Sequence, residues 1–177
     1  MPQHLRTTLA TAAATALAAG LLTAATGTAA AADHAAPAAN GRQGDFNGDG
    51  YRDLAVAAPS ATVDGKKGAG AVTVLYGSAH GVDASRRTTL TQNSPGVPRA
   101  SEKDDYFGGE VVLSDLNGDK KADLTVGATY EDGGNGGLIT LPSDGSSLTA
   151  TGSRYIGPSD VGISTAGAPE FGSVIAG

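Results

Sequence analysis

The sequence predicts an all-β fold built from repeats, and two observations carry this prediction. The same Asp/Asn-rich loop occurs twice, beginning at Asp45 and at Asp115, about 70 residues apart. Each loop is followed by a short apolar strand, a glycine-containing turn and a second strand rich in β-branched residues. No long stretch behind residue 44 has the periodicity of an amphipathic helix. Short strands in repeating order, bounded by glycine, are typical of all-β repeat architectures.

The strands can be placed from their composition. We expect strands at residues 54–57 and 71–76 in the first copy, and at 124–127 and 138–141 in the second. A Phe-Gly strand at 107–113 precedes the second loop and recurs at 170–177, but none precedes the first loop. We therefore predict a first repeat over residues 45–100 that lacks its first strand, a second over 101–166, and the truncated start of a third over 167–177.

The amino terminus has the pattern of a secretory signal peptide. Residues 1–6 are basic, residues 7–32 contain no charged side chain, and three alanines precede Asp33. A membrane anchor would need about 20 strongly apolar residues, whereas this run is diluted by Thr and Gly. We predict a signal peptide over 1–32, cleaved after Ala32, and a disordered lead-in over 33–44. The mature chain is then secreted, extracellular and without a membrane span.

Composition excludes several classes of function. The sequence has no cysteine, which excludes disulfides, thiolate metal sites and a cysteine nucleophile. The formal net charge is −6 and there is no Lys/Arg cluster, so a nucleic-acid partner is not expected. A small exported domain without disulfides often needs another covalent or metal staple, and the acidic loops indicate a metal.

Both loops present oxygen atoms at alternate positions, which suits Ca²⁺. Side chains at positions 1, 3, 5 and 9 and the main-chain carbonyl at position 7 are the predicted ligands. In the first loop these are Asp45, Asn47, Asp49, Asp53 and the carbonyl of Tyr51. In the second loop they are Asp115, Asn117, Asp119, Asp123 and the carbonyl of Lys121.

Two alternatives to a calcium site explain the loops less well. Asn-Gly and Asp-Gly are common turn pairs, but the repetition of the whole pattern disfavours plain turn chemistry. An EF-hand needs a Glu at position 12 and flanking helices, whereas Val56 and Val126 stand there within predicted strands. The second loop should bind more weakly, because Lys120 replaces Gly50 at position 6 and Lys121 adds a further positive charge.

No catalytic group and no organic cofactor site is predicted. Behind the signal peptide the only histidines are His34 and His80, and there is no Gly-x-Ser-x-Gly motif. Residues 102–105 are expected to be a solvated loop, and residues 141–145 a turn.

These residues together resemble the FG-GAP repeats of the integrin alpha-chain N-terminal β-propeller and of secreted bacterial relatives. The Phe-Gly pairs are Phe107-Gly108 and Phe171-Gly172, and degraded Gly-Ala-Pro segments lie at 57–59 and 127–129. The resemblance implies four-stranded propeller blades with calcium loops between the first two strands of each blade. About two blades and the start of a third are expected, which is a partial propeller. Either the sequence is a fragment and further blades lie in missing sequence, which we favour, or several chains share one ring.

The resemblance also implies a function. The first hypothesis is a non-catalytic binding or cell-adhesion module for an unknown extracellular protein or carbohydrate ligand. The second is an accessory propeller of a larger secreted hydrolase or lyase whose catalytic domain lies outside this chain. A third is a stable scaffold in which calcium is purely structural. The sequence leaves these three open.

Overall fold

The computed structural model describes residues 44–146 and 149–176. These belong to one compact unit, His34–Gly177. The predicted signal peptide and all but the last residue of the predicted lead-in lie outside the described residues. Within the described part, no helix is long and apolar enough to cross a membrane.

The structure is all-β, as the sequence predicts, and consists of two antiparallel sheets. The first sheet has the order β1 (Leu54–Ala58), β2 (Ala71–Leu75) and β3 (Arg87–Leu90). The second has the order β4 (Phe107–Ser114), β5 (Asp123–Ala128), β6 (Gly137–Leu141) and β7 (Arg154–Ile156). A single helical turn, α1 (Glu131–Gly134), joins β5 to β6, and a 3-10 helix at Pro158–Val161 follows β7. Consecutive strands pair as neighbours, which is the arrangement of propeller-type blades.

The two sheets share one hydrophobic core. Strand β2 alternates, so that Val72 and Val74 are buried on one face. All six residues of β5, the strand between β4 and β6, are buried, and Leu124, Val126 and Ala128 lie in the core that both sheets share. Across the second sheet Val126 pairs with Ile139. The largest fully buried apolar side chains of the core are Phe46, Val72, Val74, Phe107, Leu124, Val126, Ile139 and Leu141.

The Phe-Gly motif ties the start of one repeat to the glycine that precedes the second strand after the loop in the repeat before it. Phe107 forms an isolated parallel bridge with Gly70, and its N–H donates to the carbonyl of Ala69 at 3.1 Å. Phe171 repeats this with Gly136, and its N–H donates to the carbonyl of Asn135 at 3.0 Å. The second Phe-Gly segment is thus anchored like the first, although the described residues behind Phe171 form no strand.

The outer face of β1 differs from its counterpart in the second sheet. Leu54 and Val56 are 48% and 44% exposed, whereas Leu124 and Val126 are fully buried. The difference follows from how the sheets pack. Leu124 and Val126 face the core that the two sheets share, whereas Leu54 and Val56 lie on the face of the first sheet opposite the buried Val72 and Val74.

Candidate metal centre

The two loops share the same internal hydrogen bonds. In each, the position 1 carboxylate accepts N–H groups from positions 4 and 6, and the oxygens at positions 3 and 5 each accept an N–H two residues further on. The first-loop bonds are Gly48 N and Gly50 N to Asp45 (2.8 and 3.0 Å), Asp49 N to Asn47 (3.0 Å) and Tyr51 N to Asp49 (2.9 Å). The second-loop bonds are Gly118 N and Lys120 N to Asp115 (2.7 and 2.9 Å), Asp119 N to Asn117 (2.8 Å) and Lys121 N to Asp119 (2.9 Å). These bonds hold the side-chain oxygens of positions 1, 3 and 5 around one short segment of main chain.

The position 9 carboxylate holds the start of the loop against the sheet. Asp53 accepts the N–H of Phe46 at 2.8 Å on one oxygen and the N–H of Gly77, just after β2, at 2.8 Å on the other. The Asp123 carboxylate accepts hydrogen bonds from the N–H groups of Leu116 and Ser143, both at 3.0 Å. Ser143 lies just after β6. Both carboxylates are buried. Burial raises the pKa of Asp53, and its main-chain hydrogen bonds oppose that rise.

Positive side chains lie beside both loops. The Arg86 guanidinium is 3.7 Å from the Asp49 carboxylate, so one predicted ligand of the first loop has an ion-pair partner at the surface. The Lys121 side chain of the second loop extends toward the first loop: a Cβ on Gly48 would meet its aliphatic carbons at 3.6–3.8 Å. The Lys121 ammonium lies 3.5 Å from the carbonyl of Asp144.

The chemistry of each donor set fits Ca²⁺. Carboxylates at positions 1 and 5, an amide oxygen at position 3 and a carbonyl at position 7 are all hard oxygen ligands. Across the described ranges, no group of three or more His, Cys, Asp or Glu side chains converges into a metal-binding cluster. A Ca²⁺ ion in either loop would therefore need the Asn and main-chain oxygens as well as the carboxylates. The structure brings positions 1, 3 and 5 together, whereas position 9 faces main-chain N–H groups.

The two loops differ at position 6, where both adopt a left-handed conformation. Gly50 has φ of 90° and Lys120 has φ of 72°. A side chain with a Cβ is disfavoured in this conformation by about 1–2 kcal/mol. The second loop therefore folds with strain that the first loop avoids.

Replacing Lys120 with glycine is expected to raise the free energy of unfolding by about 1 kcal/mol, because relief of the left-handed strain exceeds the entropic cost of glycine. Urea unfolding in the presence of a calcium chelator measures this. The matched control is Lys67→Gly, at an exposed lysine without positive φ, where glycine is expected to lower the free energy of unfolding. An equal loss in both variants would contradict the assignment of strain to Lys120.

A buried polar cluster lies between the two sheets, and the sequence did not reveal it. Gln92 donates to Glu131 at 2.5 Å, and Arg99 donates to Glu131 at 2.7 Å and to Asp132 at 2.6 Å. The Arg99 guanidinium also lies 4.5 Å from the centre of the Tyr155 ring. Arg99 thus ties the segment before β4 to the turn between β5 and β6 and to β7.

The prediction of a solvated loop over residues 102–105 is wrong for Asp105, which is only 2% exposed. Its carbonyl accepts the N–H of Tyr130 and its carboxylate accepts the N–H of Glu102, so the residue is drawn under the second sheet. The pKa of Asp105 is raised to about 6, chiefly by burial and also by the charges of Glu131 and Glu102; the hydrogen bond from the Glu102 N–H and the charge of Arg99 oppose the rise.

Replacing Asp105 with asparagine is expected to stabilise the chain at pH 7. The folded-state pKa of this carboxyl is above the unfolded value, so between pH 3.8 and about 6 the folded chain binds more protons than the unfolded chain. The free energy of unfolding therefore falls as pH rises through that window. The variant keeps the acceptor for Glu102 N but not the charge. Its advantage over the original chain in thermal melts should be largest at pH 7 and disappear near pH 4. An advantage that does not change with pH would contradict this account.

Comparison with known proteins identifies the repeats. The FG-GAP repeat family model matches residues 36–75 and 107–141, which include both loops and strands β1, β2, β4, β5 and β6. Phosphatidylinositol-glycan-specific phospholipase D of Bos taurus is 36% identical over 110 residues, covering 60% of this chain and 12% of that protein.

Two integrin alpha chains are also similar. Integrin alpha-PS5 of Drosophila melanogaster is 41% identical over 88 residues, covering 48% of this chain and 8% of that protein. Integrin alpha pat-2 of Caenorhabditis briggsae is 37% identical over 102 residues, covering 56% of this chain and 8% of that protein. The matched region is thus 12% or less of the length of each of these three relatives. Two like loops, two antiparallel sheets and two Phe-Gly segments bridged in the same way accompany this match, and the chain thus carries FG-GAP repeats that are similar to parts of integrin alpha chains.

Proposed function

We propose that the chain is a secreted FG-GAP module whose two loops bind Ca²⁺ and which acts in non-catalytic binding outside the cell. The observation that supports this most is the identical hydrogen-bond frame of the two loops. Turn chemistry alone requires one or two such bonds, whereas here four bonds repeat position by position over oxygens that suit a hard cation.

The residues of each loop have distinct roles in this proposal. Asp45, Asn47 and Asp49, with the carbonyl of Tyr51, are the ligands of the first loop, and Asp53 fixes the loop on its sheet. When bound, Ca²⁺ neutralises carboxylates that otherwise repel one another. Binding to the folded state then raises its stability.

The second loop uses its matching residues in the same way. Asp115, Asn117 and Asp119, with the carbonyl of Lys121, are its ligands, and Asp123 holds it against Ser143. We expect this loop to bind more weakly, because of the left-handed Lys120.

Calorimetric titration of the full chain with Ca²⁺, with thermal melts in calcium and in chelator, tests the metal site. We expect binding at about 10⁻⁴–10⁻³ M, as in extracellular calcium modules, and a rise in melting temperature. Both should be abolished by Asp49→Ala and Asp119→Ala together. The matched control is Asp83→Ala, which removes an exposed carboxylate that also accepts an N–H two residues on, from Ser85, but lies outside the loops. A folded chain that gives no heat and no shift contradicts the metal site.

Secretion is tested separately. Expression in a bacterium that exports proteins through signal peptides should place the chain in the medium, with Asp33 as its first residue by amino-terminal sequencing. A product retained in the cell and beginning at Met1 would contradict the proposal.

The binding partner belongs to the same proposal. Similarity to integrin alpha chains supports cell adhesion through an extracellular protein or a carbohydrate. Binding of the calcium-loaded chain to immobilised matrix proteins and to a glycan array tests this, with the doubly substituted loop variant as the control.

A second candidate has its own support. The similarity to a phospholipase D favours an accessory role beside a hydrolase domain, since the match is confined to the repeats. The reading frame beyond residue 177 discriminates between the two. A domain with catalytic residues there supports the accessory role, and further repeats alone support the binding module.

A further inference from the structure

We infer that the two calcium loops are coupled through Ser143, so that a cation bound at one loop strengthens binding at the other. This inference rests on the proposed function. It concerns residues that the Ca²⁺ ligand pattern does not include, namely Ser143 and Ala122.

A continuous path of hydrogen bonds joins the loops. The main-chain N–H of Ser143 donates to Asp123, at position 9 of the second loop, at 3.0 Å. The hydroxyl of Ser143 donates to the carbonyl of Phe46, at position 2 of the first loop. The N–H of Phe46 donates to Asp53, at position 9 of the first loop, at 2.8 Å. The two position 9 carboxylates are thus linked through two residues, Ser143 and Phe46.

A second contact holds the same segment. The N–H of Ala122, in the second loop, donates to the carbonyl of Asp45 at 2.8 Å. The first two carbonyls of the first loop are therefore both held by groups of the second repeat. Phe46 and Ala122 are fully buried and Ser143 is 7% exposed, so water competes little for these bonds.

Coupling follows from the cost of ordering the loops. Binding a cation fixes a loop, which costs conformational entropy. A cation in the second loop fixes Asp123 and, through Ser143, the start of the first loop, so the second binding event has less left to order. Because coupling is reciprocal, a cation in the first loop must favour the second loop by the same factor.

Calorimetry with Ca²⁺ on single-loop variants of the full chain measures the coupling. Asp119→Ala leaves the first loop to bind, and Asp49→Ala leaves the second. The coupling factor is the overall association constant for two Ca²⁺ ions in the original chain, divided by the product of the two single-loop association constants. We expect a factor of about five or more, the lower end of typical couplings between sites.

Ser143→Ala should reduce that factor to about one when the same three titrations are repeated in its background. Ser143→Thr keeps the hydroxyl and should retain the coupling, which a merely structural role of the residue does not predict. Ser146→Ala is the matched control, because its exposed hydroxyl donates to Asp144 in the same turn, outside the path. Melts in chelator confirm that each variant is folded.

The outcomes separate the two proposals. Two binding events with a factor of about one in the original chain would overturn the coupling and leave calcium binding intact. A factor that survives Ser143→Ala would overturn the role of Ser143. No heat in a folded chain would overturn both proposals.

Discussion

Replacing Phe107 with alanine is expected to lower the free energy of unfolding by about 3–5 kcal/mol, as for other buried aromatic residues. Phe107 is fully buried at the start of β4, and its bridge to Gly70 joins the two sheets. Alanine keeps the main-chain bond to Ala69 but leaves a cavity the size of the ring at the junction. Urea unfolding followed by circular dichroism measures the loss.

The chain supplies its own control for this prediction. Phe171 has the same motif and the same bridge geometry, but it is only partly buried. Phe171→Ala should cost less, about 1 kcal/mol, because less apolar area leaves water. Equal losses at the two positions would show that the motif acts through its main chain and not through the buried ring.

The strands were predictable because local sequence determines them. The expected strands at 54–57 and 138–141 correspond to β1 (Leu54–Ala58) and β6 (Gly137–Leu141). Alternating or continuous apolar residues between glycines are sufficient to place a strand to within about two residues. The left-handed backbone of Lys120 could likewise be predicted, by alignment with Gly50 of the first loop.

Contacts distant in sequence were not predictable. The sequence around Ser143 predicts only a turn, and the bond from Ser143 to Phe46 depends on how the second sheet packs against the first loop. Asp105 stands in a hydrophilic run that predicts a solvated loop, yet the bond from Tyr130 draws it under the second sheet. In both cases the nearest residues in sequence carry no signal, because the partner comes from another element.

The position 9 aspartates show the limit of a ligand pattern. Spacing alone assigns Asp53 the same role as Asp45, since both are carboxylates in one acidic loop. The structure shows that Asp53 accepts N–H groups from the start of its loop, at Phe46, and from just after β2, at Gly77. Sequence spacing identifies the residue types that suit a cation but not the main-chain N–H groups that the same carboxylates accept.

Replacing Gly70 with alanine is expected to be strongly destabilising, for two separable reasons. Gly70 has φ of 88°, which disfavours any Cβ by about 1–2 kcal/mol. A Cβ would also lie 2.1 Å from the carbonyl oxygen of Phe107 and 2.6 Å from its nitrogen. Both atoms are main chain in a buried bridge, so relief requires the sheets to separate, at a further cost of about 1–3 kcal/mol.

Gly65 separates these two contributions. It lies in the same connection between β1 and β2 with φ of 79°, and nothing would lie within 4 Å of an added Cβ. Gly65→Ala should therefore show the conformational cost alone, while Gly70→Ala shows that cost and the steric cost together. Urea unfolding of both variants in chelator gives the steric part as the difference. A difference near zero would mean that the Phe-Gly strand can shift away from Gly70, and that close main-chain approach does not fix the spacing between repeats.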